Sequence, residues 1–142
     1  LLLARKHGLS HLSFTDHDMV EGLPEAIALG CEPGGTVIPG VEISAWDARR
    51  GRKAHILGYG FGLDMSYVDA FDAVRAVIAD GGIAVPAHHG EYESWDLVPE
   101  LVAAGLGGIE YLHESHSTED HRKVLALSKR FGLLLAGGEG WT

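Results

Sequence analysis

Apolar residues in this chain come in short blocks, and the blocks alternate between two spacings. His11 to Phe14 reads as a short strand that ends at Thr15-Asp16-His17-Asp18. Gly22-Leu23-Pro24-Glu25 opens a helix, with Pro24 near its first position, and Ala26 to Leu29 carry it to Gly30. Cys31 to Gly35 is a loop. Val37 to Ser44 is an apolar run in which Pro39-Gly40 predicts a turn into a second short strand, Val41 to Ser44. Ala45 to Lys53 reads as an exposed connection before a strand over Ala54 to Tyr59. Ala70, Phe71, Val74, Val77 and Ile78 have helical spacing within Asp69 to Ala79, stopped by Gly81-Gly82. A buried strand Ile83 to Ala87 ends in His88-His89-Gly90, and a helix follows over roughly Leu97 to Ala104. Ile109 to Leu112 is a strand and His113 to Ser117 a loop, after which Ser117-Thr118-Glu119-Asp120 is a capping-box start for a helix from Glu119 to Phe131. Leu133 to Ala136 is the last strand, and Leu1 to Gly8 reads as the end of a helix.

The predicted order is β-α-β-β-α-β-α-β-α-β, with strands that are apolar throughout rather than alternating. That pattern predicts an α/β fold of mostly parallel strands covered by helices. A length of 142 residues predicts a single domain, and 46% hydrophobic residues suffice for a core. Eleven Lys and Arg against 20 Asp and Glu give a net charge of −9, which disfavours stable binding to duplex nucleic acid. No run approaches the ~18 apolar residues of a membrane span. The lone Cys31 cannot form an internal disulfide, so the expected compartment is the cytoplasm.

Nine His and 20 Gly stand out. Ligands of parallel α/β folds bind beyond the C-terminal ends of the strands, and four segments place acids or imidazoles there: Asp16-His17-Asp18, Glu42, His55, and His88 with His89. Imidazole and carboxylate together suit Zn, Mn or Fe, and a carboxylate can bridge two ions. Asp16 and Asp18 flank His17, so either could accept its second N–H and fix the tautomer. His89, His7 and His121 read as surface residues. Arg49-Arg50-Gly51-Arg52-Lys53 is the one dense positive patch, solvating a turn or attracting phosphate next to His55.

Phe14-Thr15-Asp16-His17-Asp18 with Glu21-Gly22-Leu23-Pro24-Glu25-Ala26 resembles the second motif of the PHP (polymerase and histidinol phosphatase) superfamily. Ile38 to Ser44 resembles the third motif, Ala54 to Gly60 the fourth, and Gly81 to His88 the strand that usually ends in Ala-His-Pro. Gly108 to Ser117 is similar to a segment of the TrpH-like phosphoesterase branch. The resemblance implies part of a distorted (β/α)7 barrel, with up to three divalent metal ions that hydrolyse phosphate esters. It implies His17 as a ligand of one metal, Glu42 as a bridging carboxylate, and His55 and His88 as ligands of the metal sharing Glu42. His116 would face the substrate phosphate and, with Asp16, completes the catalytic set. The implied partner is a small phosphorylated substrate, a nucleotide or short oligonucleotide.

The sequence also departs from the family pattern. The first motif should precede Leu1, the last aligns with Gly137 to Thr142 with Gly140 and Thr142 in its ligand positions, and only Phe61 to Asp80 replace the segment relatives insert after the fourth motif. The expectation is an incomplete domain over 1–142, truncated at both ends, with fewer metals and impaired hydrolysis. The alternative is a non-catalytic PHP-like module kept for packing or partner contact. An amidohydrolase acting on C–N bonds is a weaker third reading.

Overall fold

A computed structural model describes residues 6–30, 35–60, 69–91 and 93–137 of the chain. Its elements are β1 (His11–Phe14), α1 (Leu23–Gly30), β2 (Thr36–Asp47), β3 (Arg52–Tyr59), α2 (Ala70–Ala79), β4 (Ile83–Ala87), α3 (Val98–Ala103), β5 (Gly108–Leu112), α4 (Thr118–Phe131) and β6 (Leu134–Gly137), with a short 3₁₀ turn at Ser94–Asp96. The order of strands and helices is the one the sequence predicts. The expected helix end at Leu1 to Gly8, the Cys31 loop and the segment after Gly137 lie largely outside the described residues.

β1, β2, β3 and β4 form one sheet in that order, and β5 pairs with β6. β1–β2 and β5–β6 are parallel, as expected of an α/β chain, whereas β2–β3 and β3–β4 run antiparallel. The hairpin follows from its connection: Ala48 to Gly51 is too short for a crossover, and Gly51 closes the turn with its N–H on the Asp47 carbonyl at 2.8 Å.

Pro39-Gly40 is not a turn. β2 runs unbroken through it, and Pro39 pairs with Phe14 while its carbonyl accepts the Gly60 N–H at 2.8 Å. The pair is extended because β1 presses on it: a Cβ at Gly40 would lie 2.0 Å from Ser13 Oγ and 2.8 Å from the Phe14 carbonyl oxygen. Glycine is there for close approach. The exposed connection expected over Ala45 to Lys53 shrinks to four residues, since β2 and β3 stay paired through Ala45 with Ala54, Trp46 with Lys53 and Asp47 with Arg52.

Strand alternation sorts the two faces of the sheet. Val41, Ile43, Ala45, Ala54, Ile56, Ala84 and Ile109 pack with Ala70, Val74, Val77, Val98, Leu101 and Val124 of the helices. Leu57, Val85 and Ala87 form a smaller cluster on the opposite face, the face that Glu42 and His55 share by register. At one end of the sheet Arg50 is bound to Asp47 at 3.2 Å, to Asp96 at 2.8 Å and to Glu100, Arg52 is bound to Asp96, and Arg49 to Glu100 at 2.9 Å. Arg49, Arg50 and Arg52 of the basic patch are therefore neutralised within the fold, which tells against the alternative that the patch draws phosphate. α4 begins on the expected capping box, Ser117 with Asp120, and ends at Gly132 in the left-handed conformation.

A Gly40→Ala variant is expected to lose about 1–3 kcal/mol, because the new methyl meets the Phe14 carbonyl oxygen as well as the Ser13 and Thr15 side chains. Urea unfolding monitored by circular dichroism measures it; a midpoint equal to wild type would show that β1 does not lie this close.

Candidate metal centre

Glu42 sits on β2 and is 8% exposed. The chain beyond β1 continues to pair beside it: Glu42 donates its N–H to the Asp16 carbonyl at 3.1 Å, and its own carbonyl accepts the Asp18 N–H at 2.9 Å. That pairing sets His17 opposite Glu42. Asp18 has a φ of 52°, and its carboxylate accepts the Ser44 N–H at 2.8 Å, so it anchors the backbone of β2. Asp16 is exposed, and among the described residues its carboxylate makes no hydrogen bond.

β3 brings His55 and the end of β4 brings His88 to the same carboxylate. His55 Nδ1 lies 2.7 Å from Glu42 Oε1, His88 Nε2 lies 3.2 Å from that oxygen, and the two ring nitrogens are 2.9 Å apart. His17 Nε2 is 3.6 Å from Glu42 Oε2, and its side chain is 58% exposed at the rim. His17, Glu42, His55 and His88, expected together, are therefore within reach of one another.

The triangle of Glu42 Oε1, His55 Nδ1 and His88 Nε2 has a proton problem. The oxygen of an ionised carboxylate only accepts, so each nitrogen would need to donate to it. A short N···N contact needs one nitrogen to present a lone pair instead. Neutral rings satisfy two of the three contacts at most, whereas a cation turns all three atoms into ligands. The donor set thus fits a divalent ion of the Zn or Mn type. Burial pushes the Glu42 carboxyl up, but the His55 hydrogen bond and the surrounding imidazoles outweigh it and leave the carboxyl below its ordinary value. Burial also holds the His88 imidazole below its ordinary value.

Two further groups complete the surroundings; sequence reasoning gave Glu110 no role and left His113 evenly balanced between a ligand and a structural residue. Glu110 on β5 is 4% exposed and accepts the His88 backbone N–H at 2.5 Å; burial pushes its carboxyl up to about 7. That bond braces a strained backbone, since His88 has a φ of 25°. His113 lies beside His88 with ring centroids 4.9 Å apart. The signal for Glu110 was a lone acid inside an apolar strand.

His116 is buried and stands apart from Glu42. Its Nδ1 lies 3.1 Å from the Tyr111 carbonyl oxygen, and its ring is 5.8 Å from His113 and 5.0 Å from His89. His89 is wholly buried, not a surface residue: the loop after β4 folds under α4, and the ring packs edge-on against Trp95 at 4.4 Å. His121 is half-buried against Tyr111, which also corrects its surface reading. Seven of the nine His thus form one row of neighbouring rings, from His17 through His55, His88, His113 and His116 to His89 and His121.

Glu42 and His55 stand within β2 and β3 and not at the strand ends the sequence suggested, and only His88 follows the end of a strand. An α/β sheet that gathers a carboxylate and imidazoles in this way fits a metal-dependent hydrolase scaffold. No family model matches the chain. It is 31% identical to the phosphoribosyl 1,2-cyclic phosphate 1,2-diphosphodiesterase of Eggerthella lenta, over 97% of this chain and 85% of that protein. It is 38% identical over 72 residues to the 3',5'-nucleoside bisphosphate phosphatase of Chromobacterium violaceum, 47% of this chain and 25% of that one. Three solved structures share the fold. A protein of Bifidobacterium adolescentis assigned as a metal-dependent phosphoesterase superposes with TM-score 0.85 at 18% identity, over 96% of this chain and 79% of that one. An amidohydrolase of Chromobacterium violaceum with bound sulfate gives 0.81 at 21% identity, over 96% and 78%. A two-domain protein of Bacteroides vulgatus with a PHP-like metal-dependent phosphoesterase gives 0.67 at 18% identity, over 94% and 43%. The chain belongs to the PHP family of metal-dependent phosphoesterases. Among the described residues no helix is long and apolar enough to cross a membrane.

Burial holds His89 down to about 3, with the neighbouring His116 acting in the same direction and the Pro86 carbonyl only partly opposing. Between about pH 6.5, the ordinary imidazole value, and that limit, the unfolded chain takes up a proton that the folded chain refuses. Stability is therefore expected to fall as the pH drops through this window, by up to about 1.4 kcal/mol per pH unit from this group. His88 and His116 add to the trend; Glu110, raised to about 7, opposes it at its upper end. Urea unfolding of metal-free protein at pH 7 and pH 5 should show a smaller loss for His89→Leu than for wild type, and equal losses would refute the assignment.

Proposed function

We propose that this chain hydrolyses phosphate esters of small substrates of the nucleotide type, with a divalent cation (Mn²⁺, Zn²⁺ or Fe²⁺) held by Glu42, His55, His88 and His17. The observation that carries the reading is the three-atom convergence at Glu42 Oε1, whose contacts protons alone cannot satisfy. The acidic chain adds to it, since a net charge of −9 gives a phosphate ester little reason to approach without a local positive centre. The cyclic phosphodiesterase and bisphosphate phosphatase among its relatives support both the reaction and the substrate class. A cytoplasmic location accords with the single cysteine.

When bound, the cation supplies a Lewis acid for a phosphate oxygen and acidifies water toward about pH 7. The side chains do the rest. Glu42 stays ionised inside the sheet and draws three imidazoles toward one point. His55 and His88, nearly buried, fix the inner side of that point, and exposed His17 lets substrate and water reach the outer side. Asp16 is the carboxylate at this rim. His116 serves as a phosphate contact when Nε2 is also protonated: Nε2 is buried with no hydrogen bond among the described residues, while Nδ1 donates to the Tyr111 carbonyl and holds the ring.

Phosphate release from a nucleoside bisphosphate or an aryl phosphate with added Mn²⁺ is expected to fall about 100-fold or more in Glu42→Ala and in His88→Ala, a loss of several kcal/mol. Wild-type rates in the double variant would overturn the mechanism. So would undiminished hydrolysis after chelation.

A further inference from the structure

Neither the core nor the Glu42 cluster uses Trp46 and Lys53. The two face each other across the β2–β3 ladder, one pair beyond Ser44 and His55 on the same face. That is the face of Glu42, since the intervening Ala45 and Ala54 turn to the helices. We propose that Trp46 and Lys53 form a substrate subsite: the Trp46 indole stacks on the base of a nucleotide whose reacting phosphate lies at the Glu42 cluster, and the Lys53 ammonium pairs with a second anionic group of the same molecule. The inference rests on the reading of that cluster as a phosphoesterase centre and names what holds the rest of the substrate.

Trp46 is 51% exposed on a strand that is otherwise largely buried. A tryptophan is usually held by packing and by a partner for its indole N–H. Trp95 has the packing, with His89 edge-on at 4.4 Å and Lys123 over its ring at 5.0 Å. Among the described residues no ring packs on Trp46, no cation lies over it and its N–H donates no hydrogen bond, so a π-face and a polar edge are both available. Lys53 is exposed as well, and among the described residues it is the one cation of the run from Arg49 that forms no ion pair. His55 stands between this pair and the open rim of the cluster, with its ring 5.1 Å from that of exposed His17. Two residues along a strand advance roughly 7 Å, so Lys53 lies one such step from His55 and Trp46 two from Glu42. That is the reach of a nucleotide and not of a lone phosphate. Every base has a π-face, so the stack selects for a base without choosing among bases.

Initial rates with added Mn²⁺ are compared for adenosine 3',5'-bisphosphate and for glycerol phosphate, which has neither a base nor a second anionic group. The readout is the ratio of the two kcat/KM values. Trp46→Leu is expected to lower that preference for the nucleotide at least about fivefold, through KM and not kcat. Lys53→Gln should lower it too, and by less at high salt than at low salt. A ratio equal to wild type in either variant overturns the pair as a subsite, and so does a fall carried by kcat. Tryptophan fluorescence of the Zn²⁺-loaded protein reads the stack directly: adenosine 3',5'-bisphosphate should quench wild type more than Trp46→Leu, and equal quenching overturns the stack. A wild type that hydrolyses neither compound counts against the phosphoesterase reading, and the quenching comparison then decides the subsite by itself.

Discussion

A carboxylate on a central strand of a sheet must find partners, because a buried ionised group without them costs several kcal/mol. Glu42 finds its partners in three imidazoles, each delivered by a different part of the chain. The extension of β1 supplies His17, β3 supplies His55, and the end of β4 supplies His88. The site and the sheet order are thus one fact. Strand alternation puts Glu42 opposite Val41 and Ile43, so the residues that bury the helices and the residue that gathers the imidazoles lie on one strand with opposite faces.

The centre is under visible constraint. Asp18 and His88, on either side of Glu42 in space, both have positive φ, and each is tied down by a carboxylate–amide bond, Asp18 to Ser44 and Glu110 to His88. Such conformations cost of order 1–3 kcal/mol and persist where the surroundings over-determine them. Here the bracing bonds come from the strands that carry the metal donors, so the backbone energy is held where ring orientation matters.

Charge completes the picture. The chain is strongly acidic, the arginines of its densest basic patch are consumed by Asp47, Asp96 and Glu100, and most of its imidazoles lie in a single row of rings. Burial keeps His88, His89 and His116 below the ordinary imidazole range, which leaves them as neutral donors of lone pairs and not as cations. A protein arranged this way has little fixed positive charge to offer a phosphate. It has a ready supply of neutral ligands for an ion that does.

The succession of strands and helices, the capping box at Ser117 and the positions of His17, Glu42, His55 and His88 were legible in the residues, because spacing, caps and glycine stops act over a few residues. Local pattern could not decide that Pro39-Gly40 stays extended, since the cause is β1, which pairs Phe14 with Pro39 and presses on Gly40. It could not decide that β2, β3 and β4 form an antiparallel meander, because apolar strands look alike in either direction. Nor could it foresee that His89 is buried or that Glu110 reaches His88, because a polar residue shows its partner only when distant strands are brought side by side. The sequence alone determined which groups are available for chemistry; tertiary packing decided which of them meet, through long-range contacts that leave no periodic trace along the chain.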